Sequence, residues 1–343
     1  MWWEPEKHSA RRPRLLARGR LMAQIRAYFE DEDFIETACG QLQISPGNET
    51  HLHGFGSDLL GLGGERRRLY LATSPEFAMK KLLAAGERKI FEFARVFRNR
   101  EAGTLHAPEF TMLEWYRAGE TYEDVLTDAL TIVMNAGVEV RGILQHRGQE
   151  LQPDQIERLT VASAFDRYAG VDLAATIAHS GVLDREALAH AALGAGVRVA
   201  EDDTWADIFS RVLAERVDPH LGKTAVTVLE SYPACQAALA CPNPADSRFA
   251  QRFEIFACGI ELANGFAELT DVGLQRTRLT AEMDEKERRY GTRYPLDEDF
   301  LAALAYMPPA AGCALGFDRL AMLATDAEAI DDVMWTPPWR IDG

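Results

Sequence analysis

The sequence has few cysteines, an excess of acidic over basic residues and no long hydrophobic run. Its five cysteines include no Cys-x-x-Cys pair, which argues against a disulfide framework and a thiolate zinc site and favours a reducing cytoplasm. No apolar run approaches the length of a membrane span, so no membrane contact is expected. The net charge is −16 at pH 7. Such a surface repels a phosphate backbone, so a large nucleic-acid footprint is not expected.

The remaining composition predicts a globular α+β protein. The 343 residues are 47% hydrophobic, which is ample for a buried core. The segments "KIFEFARVFRNRE" and "EFTMLEWYRAG" alternate apolar and polar residues and predict a long hairpin. Because strands occur as hairpins, an antiparallel sheet flanked by helices is favoured over a parallel sheet. We expect a single domain over residues 1–343, with a mainly helical insertion at about 155–225.

Two helices have clear sequence signals. One face of the first carries apolar residues at i, i+4, i+7 and i+8, namely Leu21, Ile25, Tyr28 and Phe29. The second is "TSPEFAMKKLLAAG", in which Thr73 or Ser74 is the expected N-cap and Pro75 lies in the first turn. Glu76 would complete a capping box with Thr73, and Gly86 would end the helix.

The segment "FRNREAGTLHAPEF" carries the first candidate chemistry. Arg98 ends one strand of the predicted hairpin, and His106 and Phe110 follow the loop. An arginine fixed on a sheet can hold a phosphate through two oxygens, and a phenylalanine in the opposing strand offers a face for adenine. An ordinary hairpin with an exposed arginine and a core phenylalanine is the simpler explanation unless other segments add to the pattern.

Three glutamates of "FEIFACGIELANGFAEL" form the second candidate group. Glu254, Glu261 and Glu268 are spaced by seven residues, and an odd offset switches faces on a regular strand. Glu261 and Asn264 nevertheless lie in an otherwise apolar strand, where an unpaired carboxylate is costly. The compensating cation could be magnesium beside a nucleotide or an arginine in a structural salt bridge, and both stay open.

The segment "GCALGFDRLAML" predicts a strand, a glycine turn and a helix. Arg319 lies in the first turn of that helix, where free amides and the added guanidinium make a ready anion site. Together with Arg98, the paired carboxylates and a stacking phenylalanine, this pattern indicates ATP bound on an antiparallel sheet.

Two further groups of residues have less specific patterns. His51 and His53 in "HLH" have no third ligand nearby in the sequence, so a metal site is not expected there. Five arginines near the N-terminus could dock an acidic protein surface or form a solvated entry to the first helix: Arg11, Arg12, Arg14, Arg18 and Arg20.

Four segments resemble the class II aminoacyl-tRNA synthetases, and specifically their lysyl branch. "FRNREAGTLHAPEFTMLEWYR" resembles the second motif of that class, and "GCALGFDRLAML" resembles the third. "GIELANGFAELTD" resembles the lysyl-specific strand, and "LYLATSPEFAMKKLL" resembles the segment between the first and second motifs. The likeness begins at about residue 14. It implies the α+β fold of this class, ATP and Mg²⁺ as cofactors, and a homodimer formed through the first motif.

The resemblance also implies roles for individual residues. Arg98 and Arg319 would be catalytic, Phe110 would stack on adenine, and Glu254 and Glu261 would hold magnesium. The implied ATP-binding residues are Arg98, Asn99, Arg100, His106, Ala107, Phe110, Glu261, Leu262, Gly316 and Arg319. The implied residues of the pocket for a dicationic substrate are Ser74, Pro75, Glu76, Glu114, Tyr116, Asn264, Phe266, Glu268 and Ala314.

The chain departs from the family pattern at three positions. Gly40 stands where the first motif usually has proline. Arg100, two residues past Arg98, stands where glutamate is usual. Ala107, after the histidine, stands where asparagine is common. The last two changes argue against adenine or ribose contacts through these side chains, whereas contacts through the backbone remain possible.

The resemblance also bears on the substrate. About twenty residues precede the first-motif helix, too few for an anticodon-binding barrel, so tRNA is not the expected acceptor. The chain is similar to stand-alone members of the branch, which attach (R)-β-lysine to a lysine of elongation factor P. Ala314 stands where lysyl-tRNA synthetases have glycine. Its methyl group would disfavour α-lysine by roughly 1–3 kcal/mol, or would be a neutral replacement in a turn.

Two alternatives remain. One is a truncated lysyl-tRNA synthetase that acts on tRNA or forms only lysyl-adenylate. The other is a non-catalytic regulatory paralogue, which the presence of Arg98, Glu261 and Arg319 argues against.

Overall fold

The structure, a computed structural model, describes residues 1–338. Three sheets contain the strands found in that part of the chain. In chain order the strands are β1 (Ile35–Glu36), β2 (Leu42–Gln43), β3 (Gly56–Leu60), β4 (Arg66–Leu71), β5 (Lys89–Phe97), β6 (Glu109–Ala118), β7 (Leu144–His146), β8 (Gln149–Leu151), β9 (Ile156–Thr160), β10 (Val226–Glu230), β11 (Arg252–Ala257), β12 (Ile260–Ala267) and β13 (Ala310–Gly316).

The largest sheet has eight strands in the order β1-β5-β6-β13-β12-β11-β10-β9. Its six central strands are antiparallel, whereas β1 is parallel to β5 and β9 is parallel to β10. Each parallel pair is joined by a long crossover, as parallel pairing requires. The predicted α+β fold is therefore confirmed, and the antiparallel arrangement holds for the centre of the sheet but not for its two edges.

Helices cover one face of this sheet and leave part of the other face open. The helices are α1 (Pro5–Asp31), α2 (Glu76–Ala84), α3 (Tyr122–Val140), α4 (Val161–Ala169), α5 (Arg185–Gly194), α6 (Trp205–Val212), α7 (Val272–Tyr290), α8 (Glu298–Leu304) and α9 (Phe317–Thr325). The main core lies where α1, α3 and α9 pack on the sheet. None of the helices within residues 1–338 has both the length and the apolarity needed to cross a membrane.

The segment between β9 and β10 forms a separate small core. Its helices α4 to α6 bury aromatic rings that stack on one another, with Phe209 between Phe165 and Trp205 at 5.1 and 5.4 Å between ring centroids. Helices α4 to α6 all lie within residues 155–225, for which a mainly helical insertion was predicted. Its first residues differ from that prediction, because Ile156–Thr160 is a strand of the large sheet.

Helix α1 is held to the start of α9 by a buried ion pair. As predicted, Leu21, Ile25 and Phe29 of α1 face the core. Arg18 donates two hydrogen bonds to Asp318, at 3.0 and 2.8 Å, and Asp318 also accepts one from the amide of Thr111 on β6. This carboxylate therefore ties α1, β6 and α9 together.

The same contacts remove three of the five arginines of the N-terminal cluster from the docking hypothesis, whereas Arg12 and Arg20 are exposed. Arg11 donates to backbone carbonyls of Asp331 and Met334, Arg14 donates to the carbonyl of Asp326, and Arg18 is buried against α9. These three side chains serve the fold, because a buried guanidinium needs internal acceptors.

We predict that Asp318→Ala destabilises the protein strongly, because it leaves the Arg18 guanidinium buried without its partner. The expected loss in the free energy of unfolding is roughly 3–5 kcal/mol. Glu36→Ala is the control, since the Arg26–Glu36 pair is more than a third exposed and such pairs contribute about 0–1 kcal/mol. Urea unfolding monitored by circular dichroism measures both. Equal unfolding midpoints for the two variants would contradict the assigned role of Asp318.

Candidate active site

A cleft opens on the face of the sheet opposite α1, α3 and α9. Its floor consists of rows of side chains that run across three strands. In one row, Ala314 of β13 pairs with Glu114 of β6 on one side and with Asn264 of β12 on the other. In the next row, Gly312 pairs with Tyr116 and with a phenylalanine of β12. Strand alternation places these side chains on one face.

The cleft brings together most of the residues that the sequence predicted for the site. Those that line it are Ser74, Glu76, Arg98, His106, Ala107, Phe110, Glu114, Tyr116, Glu261, Leu262, Asn264, Phe266, Glu268, Ala314, Gly316 and Arg319. They come from four separate segments of the chain, so only the fold makes them neighbours.

A β-bulge in β12 explains how Glu261 and Glu268 share a face despite their odd spacing. Ile255 of β11 pairs with Ala263. The next residue of β11 pairs with Glu261, so Leu262 is an extra residue in the strand. A bulge of this kind shifts the alternation by one residue. Both carboxylates therefore face the cleft.

One end of the cleft is basic. The guanidinium of Arg98 lies 5.3 Å from the ring centroid of Phe110 and donates to the carbonyl of Thr73 at 3.2 Å. Arg319, at the start of α9, donates to the carbonyl of Glu261 at 3.0 Å. Two guanidinium groups from distant segments thus line the same end, beside an aromatic face. This arrangement suits a polyanion that carries a planar base.

His106 is held in its neutral form at this end. Its Nε2 lies 2.7 Å from Nη2 of Arg319. A guanidinium only donates, so this nitrogen must accept and the ring proton resides on Nδ1. Burial, with the adjacent Arg319, lowers the pKa of His106 below its ordinary value. The imidazole therefore adds no positive charge near neutral pH.

The other end of the cleft is acidic. Glu114 is 2% exposed and accepts hydrogen bonds from Ser74 at 2.7 Å and from Tyr116 at 2.5 Å. Burial, reinforced by the nearby carboxylate of Glu76, raises the pKa of Glu114 to about 8. Gly312 lies beneath this group. A methyl group at Gly312 would overlap the ring of Tyr116, so the floor leaves no room for a side chain there.

Lys80 lies within this acidic end, and the sequence reasoning missed it. It is 1% exposed, and its Nζ lies 2.5 Å from a carboxylate oxygen of Glu76 and 2.5 Å from one of Glu268. The two carboxylates outweigh the effect of burial and hold the pKa of Lys80 above its ordinary value. The available signal was the i, i+4 spacing of Glu76 and Lys80 on an otherwise apolar helix face.

Glu254 and Glu261 lie on adjacent strands near the basic end. Glu254 accepts hydrogen bonds from Tyr232 and Arg252, both at 2.6 Å. Burial, together with the charge of Glu261, raises the pKa of Glu254 to about 7. No cluster of three or more His, Cys, Asp or Glu side chains suited to a metal ion exists within residues 1–338. Two repelling carboxylates nevertheless fit an ion whose other ligands come from a phosphate and water.

Four of the predicted residues do not line the cleft. Pro75 precedes α2, and Glu254 lies one strand away from the floor. Asn99 accepts a hydrogen bond from the amide of Arg100, whose backbone is left-handed with φ of 67°. That conformation directs the Arg100 guanidinium to the ring of Tyr290, at 5.8 Å, so the geometry gives no support to an ATP contact by its side chain.

The predicted capping box at the start of α2 is wrong. Thr73 donates its hydroxyl proton to the carbonyl of Pro46, and Ser74 accepts from the amide of Glu76 at 3.0 Å. The Glu76 carboxylate binds the Lys80 ammonium instead, because a charged partner offers a stronger interaction than a backbone amide.

This cleft on an antiparallel sheet, with two motif arginines at its basic end, can be compared with known proteins. A family model described as class II tRNA synthetases (D, K and N) matches residues 7–340. The chain belongs to the class II tRNA synthetase family. The match spans the sheet, the cleft and the segment that separates β9 from β10.

Curated relatives resemble the chain over nearly its whole length. A protein of Haemophilus influenzae strain PittGG is 37% identical over 334 residues, which cover 97% of this chain and 96% of the relative. A protein of Klebsiella pneumoniae strain 342 is 38% identical, and one of Salmonella paratyphi B is 39% identical, with the same coverage. Each is named elongation factor P–(R)-β-lysine ligase.

We predict that Glu114→Gln changes how stability depends on pH. The folded pKa of Glu114, about 8, lies above its ordinary 4.5. The stability that the protonated carboxyl of Glu114 gives the native protein is therefore present at low pH. It is lost as pH rises from the ordinary pKa through the folded pKa. The thermal midpoint of Glu114→Gln relative to the native protein should rise between about pH 5 and pH 8.

The control is Glu186→Gln, because this side chain is 81% exposed. The difference in thermal midpoint between Glu186→Gln and the native protein should stay constant over the same pH range. Differential scanning calorimetry at several pH values measures both variants, and a flat difference for Glu114→Gln would show that this carboxyl is already ionised.

Proposed function

We propose that this protein is an ATP-dependent ligase that activates (R)-β-lysine as an aminoacyl-adenylate and transfers it to the ε-amine of a lysine in elongation factor P. The relatives with this name match 96% of their own length. The observation that carries the proposal is the polarity of the cleft, with two guanidinium groups at one end and three buried or half-buried carboxylates at the other. A molecule with a phosphate at one end and ammonium groups at the other complements this pattern.

ATP fits the basic end. Arg98 and Arg319 would bind its phosphates, and Phe110 would stack on adenine. His106, Gly316 and the backbone near Ala107 and Leu262 would line the nucleotide site. The neutral state of His106 fits a role as a hydrogen-bond partner and not as a counter-ion. These assignments rest on the shared cleft lining.

Mg²⁺ fits beside the triphosphate. Glu254 and Glu261 would hold it, and the position of these two carboxylates on the adjacent strands β11 and β12 favours a cation there. When bound, Mg²⁺ supplies positive charge that neutralises the phosphate oxygens. Arg98 and Arg319 would contribute the same kind of stabilisation from the protein itself.

The amino acid fits the acidic end. Glu76, Glu114 and Glu268 would receive its two ammonium groups, which must lose water on binding and therefore need compensating charge. Tyr116 and Asn264 would add hydrogen bonds. The remaining predicted pocket residues would shape the walls, namely Ser74, Phe266 and Ala314.

Two steps complete the reaction. The carboxylate of β-lysine attacks the α-phosphorus of ATP in line, a P–O bond breaks, and pyrophosphate leaves with its electron pair. The ε-amine of the acceptor lysine then attacks the carbonyl carbon, an amide bond forms, and AMP leaves while the amine gives up a proton. Arg98 and Arg319 position the reacting phosphate and stabilise its charge.

We further propose a cytoplasmic homodimer that does not act on tRNA. Several large apolar residues in the segment after α1 are exposed, namely Ile35, Leu42, Ile44, Leu59, Leu60 and Leu62. Their exposure favours a second protomer that covers this surface. The five unpaired cysteines fit a reducing compartment. The net charge of −16 disfavours a tRNA footprint.

The direct test is to incubate the protein with ATP, Mg²⁺, one lysine isomer and elongation factor P, and then weigh the factor by mass spectrometry. We expect the mass of one β-lysyl group to be added with (R)-β-lysine, and we expect both Arg98→Ala and Arg319→Ala to abolish pyrophosphate exchange. A parallel reaction with tRNA separates the alternatives. Charging of tRNA with α-lysine would support a truncated synthetase, and absence of exchange with either isomer would support a non-catalytic paralogue.

We predict that Ala314→Gly relaxes selection against α-lysine. The methyl group of Ala314 lies between Glu114 and Asn264 on the cleft floor, so its removal changes where an ammonium group can settle. The ratio of kcat/KM values for α-lysine and β-lysine should rise by roughly 10- to 200-fold. Ala311→Gly is the control, because it makes the same change on the core face of β13. An unchanged ratio in Ala314→Gly would contradict this role.

A further inference from the structure

Lys80 adds a buried positive charge to the pocket that is proposed to receive a dication. An ammonium group repels other ammonium groups. The position of Lys80 beside the glutamates that would bind the substrate therefore needs an explanation. Its Nζ lies between Glu76 and Glu268, which approach it from α2 and from the end of β12. Aromatic rings of Phe266 and Phe300 complete its surroundings, at 5.3 and 6.0 Å from the ring centroids.

The two oxygens of Glu268 have different environments. Oε2 is in ion-pair contact with Lys80 at 2.5 Å. Both oxygens are buried without a hydrogen-bond partner among residues 1–338, and Oε1 also lacks the ion-pair contact that Oε2 makes. Oε1 lies close to Gly312 on the cleft floor, 2.8 Å from where a methyl group at that glycine would stand. Buried polar atoms are normally paired, so this oxygen is available to a ligand.

Three carboxylates in one buried site cannot all stay ionised without a cation. Like charges and burial each favour the protonated form. Burial raises the pKa of Glu268 to about 8, although the ammonium of Lys80 opposes that rise. Glu114 is placed differently, because its hydrogen-bond partners are the neutral hydroxyls of Ser74 and Tyr116.

We propose that Lys80 is a positioning residue that holds Glu76 and Glu268 in place and favours the ionised form of Glu268 before the substrate binds, so that Oε1 of Glu268 can receive a substrate ammonium group. This inference rests on the proposed function of the cleft. Lys80 acts through the two carboxylates and does not touch the substrate. A carboxylate that is already ionised gains the full attraction of an incoming cation, whereas a protonated one must first lose its proton.

The surroundings of Lys80 contain further titratable groups that bear on its test. They are Glu76 of α2, Glu114 and Tyr116 of β6, Glu268 after β12, and Cys241 before β11. Helix α8 contributes the ring of Phe300, while its N-cap Asp297 and its residue Asp299 pair with Lys81. On α7, Arg278 donates to backbone carbonyls near Cys241.

The kinetic test compares Lys80→Met and Lys80→Arg with the native protein in pyrophosphate exchange between about pH 6.5 and pH 8.5. Loss of the ammonium favours the protonated form of Glu268, and each pKa unit corresponds to about tenfold in affinity. We expect Lys80→Met to raise the KM for (R)-β-lysine about tenfold or more near pH 7. The increase should shrink as pH rises, while kcat and the KM for ATP change little. Lys80→Arg should restore most of the affinity.

Lys81→Met is the matched control, because the neighbouring lysine is a quarter exposed and binds acidic residues of α8 instead. It should leave the KM for β-lysine unchanged at every pH. A lower KM in Lys80→Met would show that the ammonium competes with the substrate. A pH-independent loss that also affects ATP would assign Lys80 a merely structural role. Either result would overturn the inference.

A second measurement needs no Lys80 variant and so does not depend on its folding. Infrared difference spectra of the native protein against Glu268→Gln and against Glu114→Gln, recorded over a pH series, report the pH at which each carboxyl loses its proton. We expect Glu268 to lose its proton at a lower pH than Glu114, because Lys80 contacts Glu268 and only neutral hydroxyls contact Glu114. A higher midpoint for Glu268 than for Glu114 would contradict the inference. Absence of exchange by the native protein with β-lysine would instead reject the proposed function.

Discussion

The register of three antiparallel strands sets up the chemistry of the cleft. Because β13 lies between β6 and β12, the residue at 314 becomes the neighbour of both Glu114 and Asn264, and the glycine at 312 the neighbour of Tyr116. A slip of one residue would turn every one of these side chains to the opposite face. The bulge at Leu262 is part of the same arrangement, since it brings Glu261 to the face that also carries Glu268.

Charged side chains have different roles on the two faces of the sheet. On the covered face, Asp318 is fully paired with Arg18 and a backbone amide, so its charge only joins elements together. On the open face, Lys80 compensates part of the acidic end, and Oε1 of Glu268 has no hydrogen-bond partner in the described part of the chain. Complete pairing stabilises a fold, whereas incomplete pairing leaves binding capacity for a ligand.

The sequence predicted the basic end of the cleft better than the acidic end. Arg98, Phe110 and Arg319 belong to motifs with defined positions on a strand or a helix start, so their convergence could be anticipated. The parallel edges of the sheet could not be anticipated, because they depend on pairing between distant segments. Lys80 looked like one residue of a helical pattern, and its contact with the distant Glu268 could not be read from the sequence. The left-handed backbone of Arg100 likewise has no sequence signal.

The central claim is that one cleft holds a nucleotide at its basic end and a lysine isomer at its acidic end. The most direct measurement is a crystal structure with a non-hydrolysable β-lysyl-adenylate analogue. We predict that Arg98 and Arg319 contact the phosphate mimic and that an ammonium group lies within hydrogen-bond distance of Glu268 Oε1, with Lys80 still in place. An analogue bound elsewhere, or turned so that its ammonium groups avoid the carboxylates, would contradict the account.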